Sequence, residues 1–203
     1  MEYGYLCTPT PDEGLKEFSD LYDRFCSAIY MASNIGMQSS TGYTRAALAE
    51  FAGIDEFIEQ NFKQLKRENY IIYKQPNPLF HIMKMLRNYN VHIAESFLSE
   101  KEINVAFRSK PEETFEIKIS YINNLSADEL KKLRSAKDYS KEEIEKMIMH
   151  FETAQHKFGL SDLLICGVIL YSKVIANLIT SRWNLSKILS TLIRTQKSPL
   201  NAG

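Results

Sequence analysis

The chain has 203 residues, 44% of them hydrophobic, enough to bury a substantial core, so by composition it is a folded soluble protein. Its 25 basic and 25 acidic side chains cancel, which excludes a global positive field as an advertisement for nucleic acid; any RNA contact has to be local. Cys7, Cys26 and Cys166 are scattered without C-x-x-C spacing, which argues against a disulfide framework or zinc site and for a cytoplasmic location.

The N-terminal stretch MEYGYLCTPTPDEG lacks a basic region and a clean apolar run, so no signal peptide is expected. Thr10-Pro11-Asp12-Glu13 reads as a capping box with proline at the first helical position. It predicts a helix to about Ser33 with Leu15, Phe18, Leu21, Tyr22, Phe25 and Ile29 on its apolar side. A polar loop, Ser33 to Gly42, follows, and helix resumes near Thr44. Arg45 to Tyr70 admits two readings. One is a helix-turn-helix with a wing at Tyr70 to Tyr73, giving a DNA-binding segment over residues 44–73. Against it, Asp55, Glu56 and Glu59 place carboxylates where phosphates approach closest. The other is a long bundle helix kinked near Gly53, with Leu48, Phe51, Ile54, Phe57 or Ile58, Phe62 and Leu65 on its apolar face.

Asn77 and Pro78 open the next helix as N-cap and first residue. At about 100° per residue, Leu79, Ile82, Met83, Leu86, Tyr89, Ile93 and Phe97 gather on one side. The opposite side carries His81, Lys84, Met85, Asn88, His92 and Glu95, with Arg87 on its shoulder, and is expected to be exposed. Asn88 and His92, at i and i+4, are stacked neighbours.

Ile103, Val105 and Phe107 alternate with polar residues, as do Phe115, Ile117, Ile119 and Tyr121, which predicts a β-hairpin over residues 101–122 with one greasy face. A lone hairpin is marginal, so that face is expected against the helices or a partner. Ser126-x-x-Glu129 and Ser140-x-x-Glu143 are further capping boxes. The first opens a short helix ending near Lys137, and the second an amphipathic helix closed by Gly159. The apolar helix from Ser161 to Thr180 is expected to be central and buried rather than membrane-spanning, because Lys173 in mid-span is expensive in lipid. Asn184 caps a last helix to Thr195. The fold class is therefore a mostly α helical bundle with an inserted β-hairpin. It forms a single domain with N-terminal helices over 10–97, the hairpin, and C-terminal helices over 126–196.

Arg87-Asn88-x-x-x-His92 resembles the R-N-x-x-x-H motif of HEPN domains, helical bundles that are often metal-independent ribonucleases. The resemblance implies a homodimer in which two motif helices meet, putting two arginines and two histidines in one cleft, with no cofactor and no metal. In such a site His92 takes or returns the proton of a ribose or leaving oxygen, and Arg87 holds the scissile phosphate bidentately. Asn88 donates to phosphate or orients the imidazole, and His81 and Lys84 are candidate substrate-phosphate contacts. RNA is the expected partner, and stress or phage defence the expected setting. The alternative is a non-catalytic binding module of the same fold. His150 and His156, at i and i+6, are not a metal pair. The sequence carries no P-loop, G-x-G-x-x-G, G-x-S-x-G or H-E-x-x-H.

Overall fold

In the computed structural model, residues 9–36, 40–62, 71–89, 98–107 and 109–196 are described, with backbone alone for Ser40, Phe107 and 182–196. Among them, six α-helices enclose a common apolar core and a two-stranded antiparallel hairpin is anchored to it by its base. The first helix is split. Asp12 rather than Thr10 is the cap, its carboxylate accepting from the Gly14 N–H at 2.9 Å over a 3-10 turn, Glu13–Leu15. The helix proper, α1, is Ser19–Ser33.

Helix α2 spans Ser40–Asn61 and passes through Gly53 without a break, and Ile71–Lys74 is a 3-10 turn. The helix-turn-helix reading of 44–73 is thereby corrected. Among the described residues no turn interrupts the helix near Gly53, because Ala52, Ile54 and Ile58 continue the buried stripe of Leu48 and Phe51 straight across the glycine. Helix α3 is Pro78–Tyr89, capped as expected by Asn77, whose side chain accepts from the Leu79 N–H at 3.0 Å.

Strands β1 (Leu98–Phe107) and β2 (Lys110–Ile122) pair in the register Ile103↔Ile117 and Val105↔Phe115. The polar stretch between the two alternating runs is mostly strand: pairing jumps from Ala106↔Thr114 to Phe107↔Lys110, leaving residues 111–113 as a bulge that accommodates Pro111. Helix α4 (Ala127–Lys131) is shorter than expected and Ser126 makes no capping bond; Glu129 instead holds Lys132 at 2.5 Å. The second box is real. Ser140 Oγ accepts from the Glu143 N–H at 3.1 Å, and Glu143 accepts from the Ser140 N–H at 2.6 Å, opening α5, Lys141–Phe158.

Gly159 turns α5 into α6 at φ +83, a left-handed backbone that favours glycine, and a Cβ there would press on Ile119 of the hairpin at 3.2 Å. Helix α6 then runs unbroken over Leu160–Gln196, so Asn184 lies within it rather than capping a separate helix. Nothing between Thr180 and Leu185 is a helix breaker, and continuing a helix costs less than nucleating a new one. Its segment Leu160–Ser181 is long and apolar enough to cross a membrane, yet over half of its 18-residue apolar window is buried within the bundle. Tyr171, at its middle, is fully buried and packs its ring against Phe25, Phe51 and Phe80 from α1, α2 and α3. Side chains of this size each contribute about 1.5–3 kcal/mol when wholly buried, so the contact point of four helices is the stability centre of the fold.

Candidate functional site

The motif helix is enclosed on nearly every side. Every residue from Leu79 to Leu86 is buried, including His81, Lys84 and Met85, and only Arg87 and Asn88 in its last turn reach the surface. The expected exposed polar face is thus corrected at His81, Lys84 and Met85. The polar stripe is turned inward, against α2, α6 and the segment before α5, rather than toward solvent.

Burial forces these groups into pairs. Lys84 Nζ lies 2.7 Å from Asp55 Oδ2 of α2, and the other carboxylate oxygen accepts from the Tyr171 hydroxyl at 2.6 Å. The ammonium also sits 4.9 Å over the Tyr73 ring, a cation–π contact. His81 Nε2 lies 2.6 Å from the Gln75 carbonyl oxygen, so it donates there, and Nδ1 accepts from the Tyr139 hydroxyl at 2.5 Å. Tyr73 and Tyr139 close over the imidazole, Tyr139 edge-on with ring centroids 5.5 Å apart. Burial pushes the Tyr171 hydroxyl well above its ordinary pKa, and the negative Asp55 beside it adds to the rise. Tyr139 is raised as well, first by burial and then by its neighbours Tyr73, Asp138 and Glu143.

One turn beyond Lys84, Arg87 reaches the surface. Its Nη2 lies 3.6 Å from Glu56 and its Nη1 donates to Asn88 Oδ1 at 2.9 Å. Two adjacent acids on α2 therefore meet two cations on α3 spaced by three residues, the inner pair buried and the outer pair solvated. The outer pair is worth little on its own, but Glu56 and Asn88 hold the guanidinium near the exposed end of the helix. His92, expected to supply the imidazole, lies outside the described residues.

Sequence reasoning missed the partners. Asp55 and Glu56 were weighed as phosphate-repelling ends of a recognition helix, and neither Tyr171 nor Tyr139 was singled out. The available signal was Lys84 itself: an ammonium among Ile82, Met83, Met85 and Leu86 requires a buried acid somewhere. A separate hollow of about 290 Å³ between α4 and α5 is lined by Asp128, Lys141, Glu145, Ile148, Met149 and Glu152, and touches none of the motif residues. Among the described residues no group of His, Cys, Asp and Glu converges as a metal site. No family model, curated protein or solved structure matches the chain.

Proposed function

We propose that this chain is a HEPN-like, metal-independent endoribonuclease that works in the cytoplasm as a homodimer whose motif helices meet at their exposed last turns. The observation that carries the reading is the sorting of polar groups on α3. The bundle consumes His81 and Lys84 internally and leaves Arg87 and Asn88 alone at the surface, with the guanidinium pre-positioned by Glu56. In the proposed reaction His92 accepts the proton of a ribose 2′-OH. The 2′-oxygen attacks phosphorus, the bond to the 5′-oxygen breaks, and an imidazolium returns the proton to that oxygen, leaving a 2′,3′-cyclic phosphate and a 5′-OH. Arg87 stabilises the charge that builds on the non-bridging oxygens. Stress or phage defence is the setting such an activity fits.

The test is single-stranded RNA incubated with purified protein in the presence of EDTA. Cleavage that disappears in both Arg87→Ala and His92→Ala, with helical content retained, supports the mechanism; equal cleavage by all three proteins sinks it. A second reading is favoured by the same Glu56, whose carboxylate competes with phosphate for Arg87: the site binds a nucleotide or RNA without cutting it. Retained binding without cleavage by the wild-type protein would select that module.

A further inference from the structure

The hairpin has two outer edges, and they differ. The Ile122 N–H donates to Gln155 Oε1 at 2.9 Å and its carbonyl accepts from Gln155 Nε2, so Ile122 turns its backbone away from β1. In an antiparallel ladder this orientation alternates. Thr114, Glu116 and Lys118 therefore also present N–H and C=O outward along β2. Gln155, fully buried, occupies the inner end of that edge as a short surrogate strand. Farther out, among the described residues, the sheet has no third strand. The side chains along this stretch are open: Ile117 is 36% exposed and Glu116 and Lys118 are exposed, whereas Ile119 is buried on Gly159.

Charge distinguishes the edges. By the same alternation β1 presents Glu100, Glu102 and Asn104 outward, and a second β1 brought alongside sets carboxylate near carboxylate. The outward residues of β2 are self-complementary. In an antiparallel pair centred on Ile117, Glu116 lies opposite Lys118 of the second strand and Lys118 opposite its Glu116. Ile117 meets Ile117 at the non-hydrogen-bonded position, where side chains approach closest. Moving the centre by one residue either way sets Glu116 against itself or Lys118 against itself.

We propose that two copies of this chain join through the outer edges of β2, antiparallel and centred on Ile117, making one four-stranded sheet across a two-fold axis. The contact is isologous, so it closes at two copies. It satisfies edge groups that otherwise template open-ended pairing and gives a marginal hairpin the extra strands it needs. It stands apart from the Arg87 reading and uses a different surface.

Light scattering on the full chain over a dilution series tests it. Glu116→Lys sets lysine against Lys118 at both symmetry-related positions and is expected to raise the dissociation constant of this contact roughly tenfold or more, halving the mass observed at intermediate concentration. The complementary variant is Lys118→Glu combined with Glu100→Lys, which keeps the cross-strand Lys118–Glu100 bridge in reversed polarity. Mixing it with Glu116→Lys is expected to restore the larger species as a heterodimer. Amide exchange at Glu116 and Lys118 should slow as protein concentration rises. A wild-type chain with no concentration-dependent mass, Glu116→Lys behaving as wild type, or a mixture that fails to reassociate would each overturn the proposal.

Discussion

Replacing Lys84 by methionine separates a scaffold role from a substrate role for the most polar residue in the motif helix. At 2.7 Å from Asp55, and with an effective dielectric of about 20, the attraction is roughly 6 kcal/mol before desolvation. Lost hydration of two buried ions offsets most of it. The asymmetry lies in removing one partner only: Asp55, 3% exposed, would be left in the core with the Tyr171 hydroxyl as its remaining donor among the described residues. Such orphaned charges cost about 3–5 kcal/mol, a fall in melting temperature of roughly 10 °C at 2–4 °C per kcal/mol for a chain of this size. Removing the pair and its hydroxyl together, with Asp55→Leu, Lys84→Met and Tyr171→Phe, takes away both buried charges and should recover most of the loss. Guanidinium denaturation measures both, with an unchanged slope as the check that the denatured state is the same. A Lys84→Met protein within about 0.5 kcal/mol of wild type, or a triple variant as unstable as the single one, would refute the assignment of Lys84 to the scaffold.

Arg87→Ala should leave stability within about 1 kcal/mol of wild type, because its pair with Glu56 is solvent-exposed, while abolishing RNA cleavage on a gel. Glu56→Gln should tighten RNA binding in a filter assay by releasing the guanidinium, and unchanged or weaker binding would remove Arg87 from the phosphate contact. At alkaline pH the folded state holds protons on Tyr139 and Tyr171 that the unfolded chain releases near the ordinary tyrosine value of 10.0. These hydroxyls therefore leave stability untouched below that pH. Above it stability falls by up to about 2.7 kcal/mol per pH unit for the two together, and Tyr171→Phe should roughly halve that slope in chemical denaturation. Gln155→Leu strands the Ile122 N–H and C=O, buried groups worth about 1–3 kcal/mol each. It should speed amide exchange at Ile122 more than in the bundle core.

The bundle was legible wherever apolar periodicity met a local stop or start signal. Asn77-Pro78, Ser140 with Glu143, and Gly159 each appear where side-chain chemistry places them, since a cap depends on residues within one turn. Signals without a tertiary counterpart failed. Ser126 has its Glu129, but the glutamate is taken by Lys132, and Asn184 is a cap residue overridden by a helix that meets nothing to stop it. The two strands of the hairpin followed from alternation, whereas their register and the bulge at residues 111–113 depend on how the tip closes, which no period encodes.

The exposure of the candidate site residues was legible only at the outer end of α3, for a reason that lies in the helix itself. His81, Lys84 and Arg87 are spaced by three residues and step round α3 by about 60° each, so a helical projection places them along one polar arc with Arg87 at its shoulder. Their environments differ because neighbours cover the arc unequally. Tyr139 covers its first member, Asp55 and Tyr73 its second, and Glu56 only partly covers its third. A projection treats depth as a property of angle, but in a helix gripped on nearly every side depth varies along the axis. The buried Asp55–Lys84 pair then has a positional consequence. It permits few registers of α3 against α2, and the permitted one brings Arg87 beside Glu56 with Asn88 next to it. The same residues that look like extra phosphate ligands in the sequence therefore set where the one exposed cation of this arc points.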